Sequence, residues 1–166
     1  MKLDPKFKSS ENKLFFLDGR ECSLEQAQKL DAQTFSREVK NLTQSCKLFI
    51  LSLSWKEIGL DEDSYNENFL ADLRDALKYC EEVEAYAVIS PLCDSAADSP
   101  AQKEAFTASM KHSARRIKDC ENVIGYEIPE AADPDFFVEE LSAKHAQYIF
   151  FSKNENLLKN PAIVKL

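Results

Sequence analysis

Short runs rich in β-branched and aromatic residues recur along the 166-residue chain and predict its strands. Five runs are strong and a sixth is weaker: residues 13–17, 48–53, 85–90, 123–128, 147–151 and, as the weak one, 163–166. Between them the hydrophobic positions change to helical spacing. Two apolar stripes result, one of Phe69, Leu70, Leu73, Leu77 and Cys80, the other of Phe106, Met110, Ser113 and Ile117. We expect both helices to pack against a sheet.

Polar residues mark the starts of several helices. Ser23 with Gln26, and Ser99 with Gln102, have the spacing of a capping box, in which each side chain bonds the other residue's backbone N–H. Pro134 suits the first turn of a further helix, where a missing N–H costs nothing. The capping residues and the hydrophobic periods therefore predict the same alternation of strands and helices.

This alternation predicts an α/β fold with a mainly parallel sheet of five or six strands, joined by right-handed crossovers. The length is that of one domain, which we expect to span residues 1–166. On such sheets, ligands bind at the carboxyl ends of the strands. Any site is expected in the loops after residues 53, 90, 128 and 151.

Charge narrows the classes of partner. The formal charge is −8, from 29 acidic and 21 basic residues, and it repels nucleic-acid phosphates and anionic lipid. No apolar run approaches the ~20 residues that span a bilayer, and the first residues lead into no signal core. We expect a soluble cytoplasmic protein that binds neither nucleic acid nor membrane.

Cofactor and metal signatures are absent from the sequence. The five cysteines form no metal-ligand or disulfide pattern, and the three glycines form no phosphate-binding loop. His112 and His145 lie on helical segments without a second ligand at metal-binding spacing, so we assign them no role. The prediction is a protein with no cofactor and no metal site.

Four segments nevertheless follow one another in a familiar order: FFLDGR at residues 15–20, FILSLSW at 49–55, VISPLC at 88–93 and ENVIGYEI at 121–128. From about residue 13 to 133 the chain resembles the cellulase and β-mannanase type of retaining glycoside hydrolase, a (β/α)8 barrel family. The first segment is similar to the hairpin that opens those domains, and the others to their second, third and fourth strands. In the family, the fourth strand leads into Asn-Glu-Pro, which carries the acid/base glutamate.

The resemblance fails at the catalytic positions. Ile50 stands where the family has an arginine, and Cys93 where it has a histidine. In place of Asn-Glu-Pro the chain has Pro-Glu-Ala, one residue early, which leaves Glu130 as the candidate counterpart of the acid/base, while Glu127 matches a structural position.

The second carboxylate is also missing. Retaining hydrolysis needs two carboxylates about 5 Å apart, and the family's nucleophile lies on a seventh strand that is not predicted here. Complete barrels of this class run to about 250 residues. The resemblance therefore implies a partial barrel, a truncated and non-hydrolytic relative.

The predicted loops at the carboxyl ends of the strands define a candidate pocket, formed by Trp55, Cys93, Asp94, Glu127 and Glu130. Trp55 either stacks on a sugar ring or caps the core. Cys93 occupies a loop suited to a nucleophile, but no neighbouring base or cation is predicted to activate it.

Three functions remain open. The first is a non-catalytic protein that binds a protein partner or a saccharide. The second is a hydrolase in which Glu130 is the general acid and the second carboxylate comes from a dimer partner or from a residue such as Asp94. The third is a doubly wound, flavodoxin-like regulatory or binding domain, which strand order would distinguish from a partial barrel. A partial barrel leaves sheet edges unpaired, so we also expect a homodimer.

Overall fold

Eight strands and five helices make up the computed structural model, which describes residues 2–166. The strands are β1 (Phe7–Ser10), β2 (Lys13–Phe16), β3 (Gln28–Asp31), β4 (Leu48–Ser54), β5 (Tyr86–Leu92), β6 (Val123–Glu127), β7 (Ile149–Ser152) and β8 (Val164–Lys165). The helices are α1 (Ala32–Leu42), α2 (Trp55–Ile58), α3 (Glu67–Glu82), α4 (Pro100–Arg116) and α5 (Pro134–Ser142), with a 3₁₀ turn at Leu157–Lys159. No helix within the described range is both long and apolar enough to cross a bilayer.

Strand order decides between the two predicted architectures. Strands β3 to β8 form one parallel sheet in which each strand pairs with the next along the chain. In a doubly wound sheet the order of the strands reverses at a switch point, so that later strands are added on the other side of the first one. No such reversal occurs here, so the flavodoxin-like alternative is wrong. Sequential order is that of a barrel, and the predicted partial-barrel α/β fold is confirmed. No pairing joins β3 to β8 within residues 2–166, so the barrel stays open.

The sheet is apolar on both faces because each face packs on a different layer. In β4, Phe49, Leu51 and Leu53 face the helices, and Ile50 faces the inside of the sheet's curve. The inner face carries a smaller apolar cluster, which the hairpin of β1 and β2 covers. Burial on both faces explains why the parallel strands appear in the sequence as almost continuous hydrophobic runs.

The first predicted strand and the first predicted helix start need correction. Residues 13–17 belong to the antiparallel hairpin, where Lys13–Phe16 pairs with β1, and not to the parallel sheet. Ser23 and Gln26 do not begin a helix: a turn follows Ser23 and leads into β3, and Asp31 caps the next helix by accepting from the Thr34 N–H. The capping box of Ser99 with Gln102 is confirmed at the start of α4.

A bulge interrupts β6 next to Gly125. Ala87 of β5 pairs with Val123, but the following residue, Val88, pairs with Gly125, so β6 carries one extra residue. Ile124 consequently packs in the inner cluster, whereas Tyr126 packs among the helices, although a regular strand would place both on one face. Glu127 is thereby turned to the inner face.

The turn of the hairpin holds the end of the chain. Asn12, in a left-handed conformation with φ of 64°, receives a hydrogen bond from the Lys165 N–H at 3.0 Å and donates its own backbone N–H to the Pro161 carbonyl at 3.0 Å. Its side-chain amide donates to the carbonyls of Asn160 and Ile163. One residue thus fixes the last strand against the hairpin.

Candidate functional site

A cavity of about 300 Å³ opens at the carboxyl ends of the strands, on the inner face. Its polar lining residues are Lys29, Asp31, Ser52, Ser90, Glu127 and Lys153. Both edges of the sheet contribute, because Asp31 ends β3 and Leu166 follows β8. The curved sheet therefore encloses a polar site above its inner apolar cluster.

Glu127 is one of the two acidic residues of this lining, with Asp31. It ends β6, and its carboxylate accepts a hydrogen bond from the Ser90 hydroxyl on β5. Ser52 stands beside Ser90 in the β4–β5 register. On the inner face, Ser52 follows the apolar Ile50 on β4, and Ser90 follows the apolar Val88 on β5. The inner surface therefore changes from apolar to polar along each strand.

Two other carboxylates at this edge are occupied as helix caps. Asp31 accepts hydrogen bonds from the Thr34 backbone N–H and hydroxyl, both at 2.8 Å. The bond from the Thr34 N–H is the main reason why the pKa of Asp31 is lowered. Asp94 accepts from the Ser54 hydroxyl and from the Lys56 N–H at 3.0 Å, which ties the loop after β5 to the start of α2.

Trp55 lies in the core. It is 3% exposed, its indole N–H donates to the Ser109 hydroxyl at 3.0 Å, and its ring packs 5.1 Å from that of Phe106. Neither face of the indole is open to a ligand. Of the two roles expected for Trp55, the structure therefore favours the one in the core.

Cys93 and Glu130 lie outside the cavity lining. The Cys93 thiol is half-buried and donates to the Ser95 carbonyl at 3.4 Å; burial, followed by Asp94 and Asp98, raises its pKa. A raised pKa keeps the thiol protonated and unreactive. Glu130 is exposed in the turn after β6 and makes no hydrogen bond or ion pair with the residues the structure describes. Of the five predicted pocket residues, Glu127 alone lines the cavity.

Sequence reasoning missed Ser52, Ser90 and Lys153 as lining residues, and it missed the environment of Glu57. Burial raises the pKa of Glu57, and the charges of Asp31 and Asp94 add to the effect. The serines had a signal, since each interrupts an apolar strand near its carboxyl end. The Glu57 environment had none, because its two acidic neighbours come from distant segments.

No protein-family model and no curated protein matches the sequence. Solved structures do share the fold. The catalytic domain of a mannanase from Streptomyces sp. SirexAA-E superposes with a TM-score of 0.62 at 10% identity, over 92% of this chain and 52% of that one. The catalytic domain of the Thermobifida fusca endoglucanase Cel5A, in complex with cellotetraose, gives a TM-score of 0.58 at 13% identity, over 88% of this chain and 52% of that one.

A third similar structure is the endoglucanase Cel5A of Pseudomonas stutzeri, with a TM-score of 0.54 at 14% identity over 70% of this chain and 41% of that one. The chain thus spans about half the length of the structures it matches. The predicted resemblance to glycoside hydrolases is confirmed as a likeness of fold. A shared fold does not by itself establish a shared activity.

Proposed function

We propose that the chain is a non-catalytic protein of glycoside-hydrolase fold that binds a small polyhydroxylated ligand, of about monosaccharide size, in the cavity above β4, β5 and β6. The observation that carries the proposal is where the carboxylates near this edge of the sheet lie and which hydrogen bonds they already accept. Asp31 and Asp94 use their oxygens as helix caps, Glu127 accepts from Ser90, and Glu130 lies outside the cavity.

The lining supports a ligand rich in hydroxyl groups. Lys29 and Lys153 supply donors, Glu127 supplies an acceptor, and the two serines supply both. The volume of about 300 Å³ is at the lower end of the range for small-molecule sites. Ile50 adds an apolar wall for the C–H face of a sugar.

The same lining argues against hydrolysis. The mechanism needs one carboxyl group as acid/base and a second as nucleophile. Asp31 and Glu127 are the carboxylates that line the cavity, and both oxygens of Asp31 already accept hydrogen bonds. The lowered pKa of Asp31 keeps it ionised, which is unsuited to a general acid, and its bonds to Thr34 hold both oxygens that a nucleophile would use.

An active hydrolase is the second candidate, with Glu130 as general acid. Its support is the position of Glu130 in the loop after β6 and the fold shared with catalytic domains of hydrolases. The two candidates differ in which glutamate matters, because binding in the cavity depends on Glu127 and hydrolysis on Glu130.

Ligand titration followed by NMR distinguishes them, with glucose, mannose, cellobiose and mannobiose as probes. We expect saturable binding of at least one sugar, and Glu127→Gln to weaken it about tenfold, the effect of losing one charge-assisted hydrogen bond. Glu130→Gln is the matched control and should bind as the wild type does. Failure of every sugar to bind would contradict the proposal.

The same samples are assayed on β-glucan and mannan, where we expect no release of reducing sugar. If the wild type hydrolyses either polysaccharide and Glu130→Gln does not, the chain is a hydrolase and the proposed binding function is wrong.

A homodimer is a further part of the proposal. Strand β3 is unpaired on its outer side within the described chain, whereas Asn12 of the hairpin turn already bonds to β8. Unpaired edges are usually covered by another element or subunit. We expect light scattering to give twice the mass of one chain, and Leu30→Pro in β3 to return it to the mass of a monomer. A wild-type monomer at high concentration would exclude the dimer.

A further inference from the structure

A second cavity, of about 500 Å³, lies at the opposite end of the sheet and is lined by basic side chains. Arg115 comes from the last turn of α4, Lys118 follows that helix, Lys144 follows α5, and Lys2 comes from the segment before β1. We call these four residues, together with His145, the basic pocket. They converge from three separate parts of the chain.

The four cations have no anionic partner among residues 2–166. None takes part in a salt bridge, and none donates a side-chain hydrogen bond in the described chain. No aspartate or glutamate lines the cavity, although the protein carries 29 acidic residues. Neighbouring cations do have partners, since Lys111 pairs with Glu140 and Arg116 with Glu67. The four cations of the basic pocket therefore share one cavity without a counter-charge.

The helix dipole explains only part of the cluster. A cation in the last turn of a helix interacts favourably with the C-terminal carbonyls, which accounts for Arg115 and Arg116 alike. Arg116 nevertheless has a carboxylate partner and Arg115 has none. Lys2 belongs to no helix, so no dipole places it beside the others.

His145 is a buried group with an unsatisfied atom beside these cations. It lines the cavity and is 4% exposed, and its Nε2 has no hydrogen-bond partner in the described structure. A buried polar atom without a partner is costly and uncommon in folded proteins. Its ring stacks on Tyr148 with centroids 5.1 Å apart, which holds it in place.

The groups around His145 favour its neutral form. Burial is the largest cause of its lowered pKa, and the charges of Lys118, Lys144, Arg115 and Lys111 lower it further. The phenol of Tyr148, packed against it, is itself kept neutral because burial raises its pKa. An anion among these cations would offset their charge and raise the pKa of the histidine.

We propose that the basic pocket binds a phosphate group, either free or carried by a small molecule. The unpaired cations supply charge-assisted hydrogen bonds to the phosphate oxygens, which need donors of this kind. The volume lies within the range for small-molecule sites and exceeds the needs of a bare phosphate. The site is independent of the saccharide cavity, because it lies at the other end of the strands.

Histidine NMR tests the proposal directly, since His112 and His145 are the protein's two histidines. Inorganic phosphate and glucose 6-phosphate are titrated separately at constant ionic strength set with chloride. We expect a saturable shift of the His145 signals and a rise of its pKa by about one unit, as an opposite charge nearby produces. His112, which bonds to Glu67 elsewhere, should not respond. Tighter binding of the sugar phosphate would identify a phosphorylated molecule as the ligand, and equal binding would identify phosphate itself.

Adjacent arginines provide matched variants. Arg115→Gln and Arg116→Gln remove the same charge from the same helical turn, but only Arg115 lines the cavity. We expect phosphate affinity to fall about tenfold in Arg115→Gln and to stay unchanged in Arg116→Gln. Equal loss in both would indicate unspecific charge attraction and overturn the proposal. The proposal would also be overturned if neither probe, at up to about 10 mM, gave a saturable shift of the His145 signals.

Discussion

Replacing Gly125 by alanine is expected to cost more than about 4 kcal/mol of folding free energy, among the largest effects of a single substitution. A Cβ at this position would lie 1.7 Å from the Ile149 carbonyl oxygen and 2.7 Å from its carbon, both in the backbone of β7. Backbone atoms in a paired strand cannot move aside as a side chain can. The substitution would separate β6 from β7 and abolish the bulge that turns Glu127 inward.

The measurement is urea unfolding followed by circular dichroism, with Gly19→Ala as the control. Gly19 has φ of 96°, but a Cβ added there would have no atom within 4 Å, so alanine meets conformational strain without a clash. We expect it to cost about 1–2 kcal/mol, the penalty of the left-handed region for an ordinary residue. Equal stability of the two variants would show that β6 and β7 do not approach closely at Gly125.

The second large effect is expected at Trp55. Trp55→Ala should destabilise the protein by about 3–5 kcal/mol, because it removes a large buried side chain from the helix layer. It also leaves the Ser109 hydroxyl, which donates to the Gly59 carbonyl at 2.8 Å, without the indole N–H that it accepts. The same urea titration measures the loss.

Trp55→Phe separates the core role from a sugar-stacking role. Phenylalanine retains most of the buried ring area and loses the indole N–H, so we expect a cost of about 1–3 kcal/mol, the penalty for the unpaired hydroxyl. Ligand affinity should not change in this variant. A normally folded Trp55→Phe protein that had lost sugar binding would contradict the assignment of Trp55 to the core.

The architecture was predictable because the central strands are buried on both faces. Runs such as residues 48–53 and 123–128 consist almost wholly of apolar residues, and no amphipathic helix has that pattern. The structure places β4 and β6 there, within one residue at each end. The weak sixth run also proved to contain a strand, β8.

Strand β3 was not predictable in the same way. Gln28, Lys29 and Asp31 are exposed, because β3 lies at the sheet edge and pairs with β4 alone. Its extended conformation comes from that pairing and not from a local apolar pattern. The spacing of Ser23 and Gln26 fits a capping box, but the residues after it enter β3 and not a helix, so tertiary pairing outweighed the local signal.

The predicted pocket residues lie at the same edge of the sheet as the cavity, but of the five only Glu127 lines it. Strand ends could be located by pattern, which places the loops but not the directions of side chains within them. Glu127 faces the cavity only because of the bulge beside Gly125, a consequence of pairing with β5. Asp94 is held by Ser54 and Lys56, forty or so residues earlier, and no spacing rule links those positions.

Asn12 is synthesised long before the residues to which it bonds. The hairpin leaves the ribosome well before residues 160–165, whose carbonyls and an N–H hold its turn. At a synthesis rate of about 5–20 residues per second, it waits on the order of ten seconds for these partners. During that time the inner apolar surfaces of the growing sheet have no permanent cover, and a chaperone that shields nascent chains would have most to protect there.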